Sequence, residues 1–116
     1  MCSRSVIFTG SDGSAFKTRL DPQSQSAEAW LTTSGGGYVA AGVGGGITGK
    51  GAHILVIDDP VKNRDDAESA NARSSAWDWY TSTAYTRLAP GGGVLVILTR
   101  WHDDDLAGRL LKAAAD

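Results

Sequence analysis

At 116 residues and a formal net charge of −2, the chain is one domain or part of one, without the clustered Lys and Arg that gripping nucleic acid unaided requires. Cys2 is the only cysteine, which excludes a disulfide within the chain and makes a reducing compartment the expectation. The sequence has no apolar run near the roughly 18 residues of a membrane span and no signal-peptide core, and it reads as a soluble cytosolic protein.

The first part of the chain holds few convincing elements. Val6-Ile7-Phe8 is a short strand candidate, and a polar stretch from Gly10 to Ser26 comes next. Ala29 to Thr33 and Tyr38 to Val43 read as further short strands. Of the 15 glycines, 12 gather at positions 35 to 51 and 91 to 93, a concentration that marks loops rather than disorder. Gly44 to Lys50 fits the pattern G-x-x-x-x-G-K, but Gly51 stands where Ser or Thr would bind magnesium. The segment also precedes an apolar strand instead of following one and opening a helix, so no helix N-terminus is present to hold a phosphate. It reads as a tight, glycine-permitted turn into the strand after it.

That strand is His53-Ile54-Leu55-Val56-Ile57-Asp58-Asp59-Pro60. Its unbroken apolar run is the habit of a strand buried on both faces of a parallel sheet. Two carboxylates at the carboxyl end of such a strand are costly unless they meet water, a cation or a donor. Two readings fit: the paired acids of a nucleotide-hydrolysing site, the Walker B arrangement, or an Asx-type turn before Pro60.

The chain beyond Pro60 favours the paired acids. Ala67, Ala70, Ser74, Trp77, Thr81, Ala84 and Leu88 recur at alternating steps of three and four and predict one long helix. Asp65, Asp66 and Glu68 lie in its first turn and Arg87 in its last, and Pro90 with Gly91 to Gly93 stops it. Val94-Leu95-Val96-Ile97-Leu98 is then a second apolar strand. A crossover of this length makes a right-handed βαβ unit with parallel strands. Asp58, Asp59, Thr99 and Arg100 are therefore expected to project into one crevice at the carboxyl edge of the sheet. A last helix is predicted from about Asp104 to Ala115, with Leu106, Leu110 and Ala114 on one face and Asp103 or Asp104 as N-cap. Arg109 on that helix is expected to point to solvent.

With these segments read, the chain resembles the ATPase domain of the large terminase subunit of tailed bacteriophages. The residues that carry the likeness are Trp30, the turn Gly35-Gly36-Gly37, the run Gly44 to Ala52, the strand to Asp58-Asp59-Pro60, Asp78-Trp79-Tyr80, Arg87-Leu88, Thr99-Arg100-Trp101-His102, and Asp104 to Leu110. Several separated motifs in order are more specific than any one of them. The resemblance implies an α/β fold: a partial P-loop NTPase-type (ASCE) parallel sheet with flanking helices, truncated at both ends. Residues 1–116 would then be a partial ATPase domain, lacking the Walker A part and the C-terminal nuclease domain. It further implies ATP hydrolysis coupled to DNA translocation, with Mg2+ as cofactor and ATP as substrate. The implied partners are double-stranded DNA, the portal protein and the small terminase subunit, around a homo-oligomeric ring with no membrane. The implied place is the cytoplasm of a bacterial host, the chain being phage or prophage encoded, and this segment alone is expected to be inactive.

Carried over residue by residue, Asp58 is the magnesium-side acid, acting through a metal-bound water, and Asp59 orients or deprotonates the attacking water. Many relatives have glutamate at the second position, whereas a branch of the family carries Asp-Asp-Pro. Thr99 and Arg100 match the coupling segment that senses the γ-phosphate, and Lys50 is either at the nucleotide edge or solvated. His102 with Asp103 to Asp105 reads as an acidic helix start before a metal cluster. Trp77, Trp79, Tyr80 and Tyr85 read as core before a base-stacking platform, and Arg73 and Arg87 as solvated helix charges before arginine fingers. Two other functions stay open on the sequence. One is a metal-dependent nuclease or phosphohydrolase using Asp58, Asp59 and His102 to Asp104; the other is a non-catalytic truncated product.

Overall fold

A computed structural model describes residues 18–47 and 51–116, so the strand expected at Val6 to Phe8 and the candidate Lys50 lie outside the described residues. The chain divides into two compact units between Gly42 and Val43.

The first unit is a three-stranded antiparallel sheet in the order β1-β2-β3, made of β1 Leu20–Gln25, β2 Ala29–Thr32 and β3 Gly37–Val39. Strand β1 falls inside the stretch that reads only as polar. It contains Pro22 and, among the described residues, pairs on one side alone, the edge position where a missing N–H is tolerated. Its register slips between Leu20↔Thr32 and Gln25↔Trp30. Strand β3 stops at Val39 rather than Val43. Trp30 and Tyr38 face each other across β2 and β3, with stacked rings 5.2 Å apart. These strands form a sheet of their own and do not extend the parallel one.

The second unit holds the expected parallel pair, β4 Ala52–Asp58 and β5 Leu88–Ile97. Leu55↔Val94, Val56↔Leu95, Ile57↔Val96 and Asp58↔Ile97 are in register. The segment Pro90 to Gly93 is not a helix stop, as the sequence suggests, but a bulge inside β5, between the pairs Ala52↔Leu88 and Ile54↔Gly93. Gly91 there has φ +77, and a Cβ on Gly92 would stand 2.8 Å from the His53 carbonyl oxygen. The bulge thus asks for glycine at position 91 for its backbone conformation and at position 92 for space.

The single predicted helix is broken into pieces: α1 Arg64–Glu68, α2 Ala70–Trp79, a π turn Tyr80–Ala84 and a 3-10 turn Tyr85–Arg87. The break comes from Ser69, whose backbone is extended and whose hydroxyl accepts the Ala72 amide, making it the N-cap of α2. Asn63 caps α1 in the same way through the Asp66 amide. Thr81 and Ser82 donate their hydroxyls back to the Trp77 and Asp78 carbonyls, the competition that widens a helix turn. Between Ala70 and Arg87 the buried residues are Ala76, Tyr80 and Ala84; of the expected face there Ala84 is buried, whereas Ala70 and Thr81 are exposed.

Ile57, Tyr80, Ala84 and Leu106 form the core, with Leu55, Val94, Val96 and Leu110 packed on it. Burying Leu106, only 2% exposed, contributes about 1.5–3 kcal/mol. Among the described residues only one face of β4 and β5 is covered. Ile54, Val56, Leu95 and Ile97 on the other face are 50–70% exposed, where the apolar runs predict burial on both sides. The final helix, α3 Leu106–Ala115, is capped by Asp105 rather than Asp103 or Asp104.

Candidate functional site

Strand β4 ends at the two acids. Asp58 stands opposite Ile97 on the last rung, and the Asp59 amide donates to the Ile97 carbonyl at 2.9 Å. Asp59 has φ 46, the only positive φ of a non-glycine residue among the described residues. A left-handed L-residue costs about 1–2 kcal/mol, least for Asn and Asp. This conformation turns the chain off the sheet just before Pro60. Among the described residues neither the Asp58 nor the Asp59 carboxylate accepts a hydrogen bond or joins an ion pair. The Asx-type turn allowed by the sequence is therefore not formed, and both carboxylates are left for water or a cation.

Strand β5 delivers Thr99 to the same edge. Thr99 lines a small cavity of about 10 Å³ together with Pro60, Arg73 and Asp105, so the segments after β4 and β5 meet there, as parallel strands require. That volume holds about one water molecule, and outside it Asp59 is exposed and Asp58 half-buried. A wider groove of about 340 Å³, lined by Trp77, Tyr80, Tyr85 and Leu110, is apolar and does not include them.

Arg100 is not left pointing freely into the crevice. Its Nε donates to Asp105 Oδ2 at 2.6 Å, and its Nη2 approaches the Asp103 carbonyl at 3.5 Å. Asp105 Oδ1 accepts the Gly108 amide at 2.8 Å as the cap of α3. The reading of this acidic run as a helix start holds, with Asp105 as the capping residue.

Asp104 is the centre of a second ionic group. Arg109 grips it with two bonds, Nε to Oδ1 at 3.1 Å and Nη2 to Oδ2 at 2.8 Å, and reaches Ser74 on α2 at 3.4 Å. Arg109 thus packs α3 on α2 and does not point to solvent as the helix pattern suggests. The Arg73 side chain is only 11% exposed; it donates Nη1 to the Ala67 carbonyl at 2.7 Å, and its Nε lies 3.6 Å from Asp104. It is therefore no solvated helix charge. The hydrogen bonds from Arg109 hold the Asp104 carboxyl down at about 2, with Arg109, Lys112 and Arg73 adding electrostatically against the opposing effect of burial. The same pairing raises the Arg109 guanidinium. His102 Nδ1 accepts the Asp104 amide at 2.9 Å.

These pairings matter for metal binding. Among the described residues no three His, Cys, Asp or Glu side chains gather as a metal centre. The nuclease reading needs His102 to Asp104 as ligands, but His102 and Asp104 are already engaged. Magnesium asks less, since it takes one or two carboxylates and keeps several waters. The unengaged Asp58 and Asp59 carboxylates fit that demand. Tyr80 belongs to the core, where burial foremost, and then Tyr85, raise its phenol. Trp79 donates Nε1 to the Gly45 carbonyl at 3.1 Å and, like Trp77, packs partly buried against the core, whereas Tyr85, read as core from the sequence, is 54% exposed.

No helix among the described residues is long and apolar enough to cross a membrane. Residues 6–115 match the family model described as terminase large subunit, T4likevirus-type, N-terminal. No curated protein and no solved structure matches the chain.

Proposed function

The chain belongs to the terminase large subunit family, and from that premise we propose that it carries the Walker B and coupling segments of a DNA-packaging ATPase with a P-loop NTPase fold. The observation that supports this most is the end of β4: two acids free of protein partners among the described residues, one of them held left-handed by a hydrogen bond to the neighbouring parallel strand. Asp58 would hold Mg2+ with Asp59 beside it, the ion neutralising charge on the phosphate oxygens when bound. Asp59 orients the attacking water and accepts its proton. Thr99 and Arg100, beyond the end of β5, sense the γ-phosphate. In the working motor the partners are double-stranded DNA, a portal protein, a small terminase subunit and further copies in a ring.

The test is Asp59→Asn in a complete large subunit carrying these residues. Asparagine tolerates the left-handed backbone and keeps the shape, but it loses the basic oxygen. Hydrolysis should fall by about 100-fold or more, in the range of a lost general base, with ATP affinity nearly unchanged. Normal turnover at saturating ATP with weakened binding would remove Asp59 from the base role.

A further inference from the structure

Asp105 is the buried member of the acidic run, its side chain 8% exposed, and both its oxygens are committed. One caps α3 through Gly108, and the other grips Arg100 Nε. A guanidinium carries five N–H donors in a rigid plane. With Nε on Asp105 and Nη2 toward the Asp103 carbonyl, Nη1 has no partner among the described residues, and the Arg100 side chain is 45% exposed. Gly108 is part of this seat. A Cβ there would collide with the Asp103 carbonyl and come within 3.4 Å of Arg100 Nη2. The seat also adjoins the strand ends, since Asp105 lines the same small cavity as Thr99 and Pro60.

We propose that Asp105 is a positioning residue for Arg100: it holds the guanidinium by one edge and leaves the other to a phosphate oxygen at the strand ends. A charge-assisted bond to a buried carboxylate, itself fixed by a helix cap, orients the arginine far better than solvent would. It also ties the phosphate contact to helix α3, so a shift of Arg100 on γ-phosphate loss pulls on the α3 N-terminus. This inference rests on the reading of the strand ends as an ATP-hydrolysing site.

Asp105→Asn separates the two duties. Asparagine caps helices as well as aspartate does, but its amide would face Arg100 Nε donor to donor and release it. In a complete large subunit, kcat for ATP should drop by about 10- to 100-fold, the scale of a misplaced catalytic group, with KM and melting temperature close to wild type. Asp105→Ser, which also caps, should behave alike. In an Arg100→Ala background, Asp105→Asn should cost nothing more, because its effect runs through Arg100. Wild-type or raised kcat in Asp105→Asn, when Arg100→Ala itself is crippled, would overturn the positioning role and, if raised, make Asp105 a brake. Unimpaired turnover by Arg100→Ala would instead sink the reading of the site from which the inference starts.

Discussion

Asp104 and Asp105 are neighbours in sequence with opposite surroundings. Asp105 serves a cap and one arginine, whereas Asp104 collects Arg109 with two hydrogen bonds and has Arg73 and Lys112 near by. The consequence for Asp104 is a pH dependence. Its carboxyl titrates at about 2 in the fold against 3.8 ordinarily, so the folded state favours the charged form. Such a group stabilises fully above its unfolded value, and the contribution fades as pH falls from about 4 to about 2. Melting of the chain against pH should therefore show a gap between wild type and Asp104→Asn at about pH 6 that closes across this window. A gap that stays constant down to about pH 2 would mean that Arg109 does not hold the carboxylate. Lys112, at 3.9 Å and mostly exposed, should contribute little, as surface pairs do.

At the scale of elements, the glycine bulge of β5 sets the register that brings Ile97 opposite Asp58. Gly92 and Gly93 are adjacent, but their surroundings differ. A Cβ on Gly92 would press on the His53 and Ala89 carbonyls, at 2.8 and 2.9 Å, while one on Gly93 meets nothing within 4 Å. Gly92→Ala should cost about 1–3 kcal/mol in chemical denaturation, the range for overpacking. Gly93→Ala should be neutral or stabilising, by up to the roughly 0.4–1 kcal/mol that a stiffer unfolded chain allows. Equal losses at the two positions would show that the bulge does not pack against His53. The helical crossover is likewise set by local chemistry: Ser69 divides α1 from α2, and the hydroxyls of Thr81 and Ser82 widen the turn that seats Tyr80 and Ala84 in the core.

For the whole molecule, the described residues supply acids but no loop of backbone amides to cradle phosphates, and Gly44 to Gly51 lacks the magnesium-binding hydroxyl of such a loop. The 116-residue chain alone should accordingly show no magnesium-dependent ATP turnover, because phosphoryl transfer depends on positioned phosphates as much as on positioned acids. Hydrolysis by the pure chain, abolished by Asp58→Ala, would overturn that. Among the described residues the face of Ile54, Val56, Leu95 and Ile97 stays open, a departure from the burial on both sides that the composition of these strands predicts.

Much of the candidate site's placement was legible in the sequence. Two uninterrupted apolar runs, each ending in polar residues and joined by a long helical crossover, determine a parallel pair with Asp58, Asp59 and Thr99 at one edge, since handedness and side-chain period leave no other arrangement. The family likeness was legible for the same reason, being carried by short motifs in order. Strand β1 was hidden because an edge strand needs no apolar alternation and tolerates Pro22. Which acid would cap α3, and which cation would find which carboxylate, was decided only by the fold. Asp103, Asp104 and Asp105 are chemically equivalent in a string of letters. The turn that buries Asp105 beneath Arg100 and sets Asp104 between α2 and α3 exists only once Leu106 is in the core, and ionic pairing depends on distance in space, not separation in sequence.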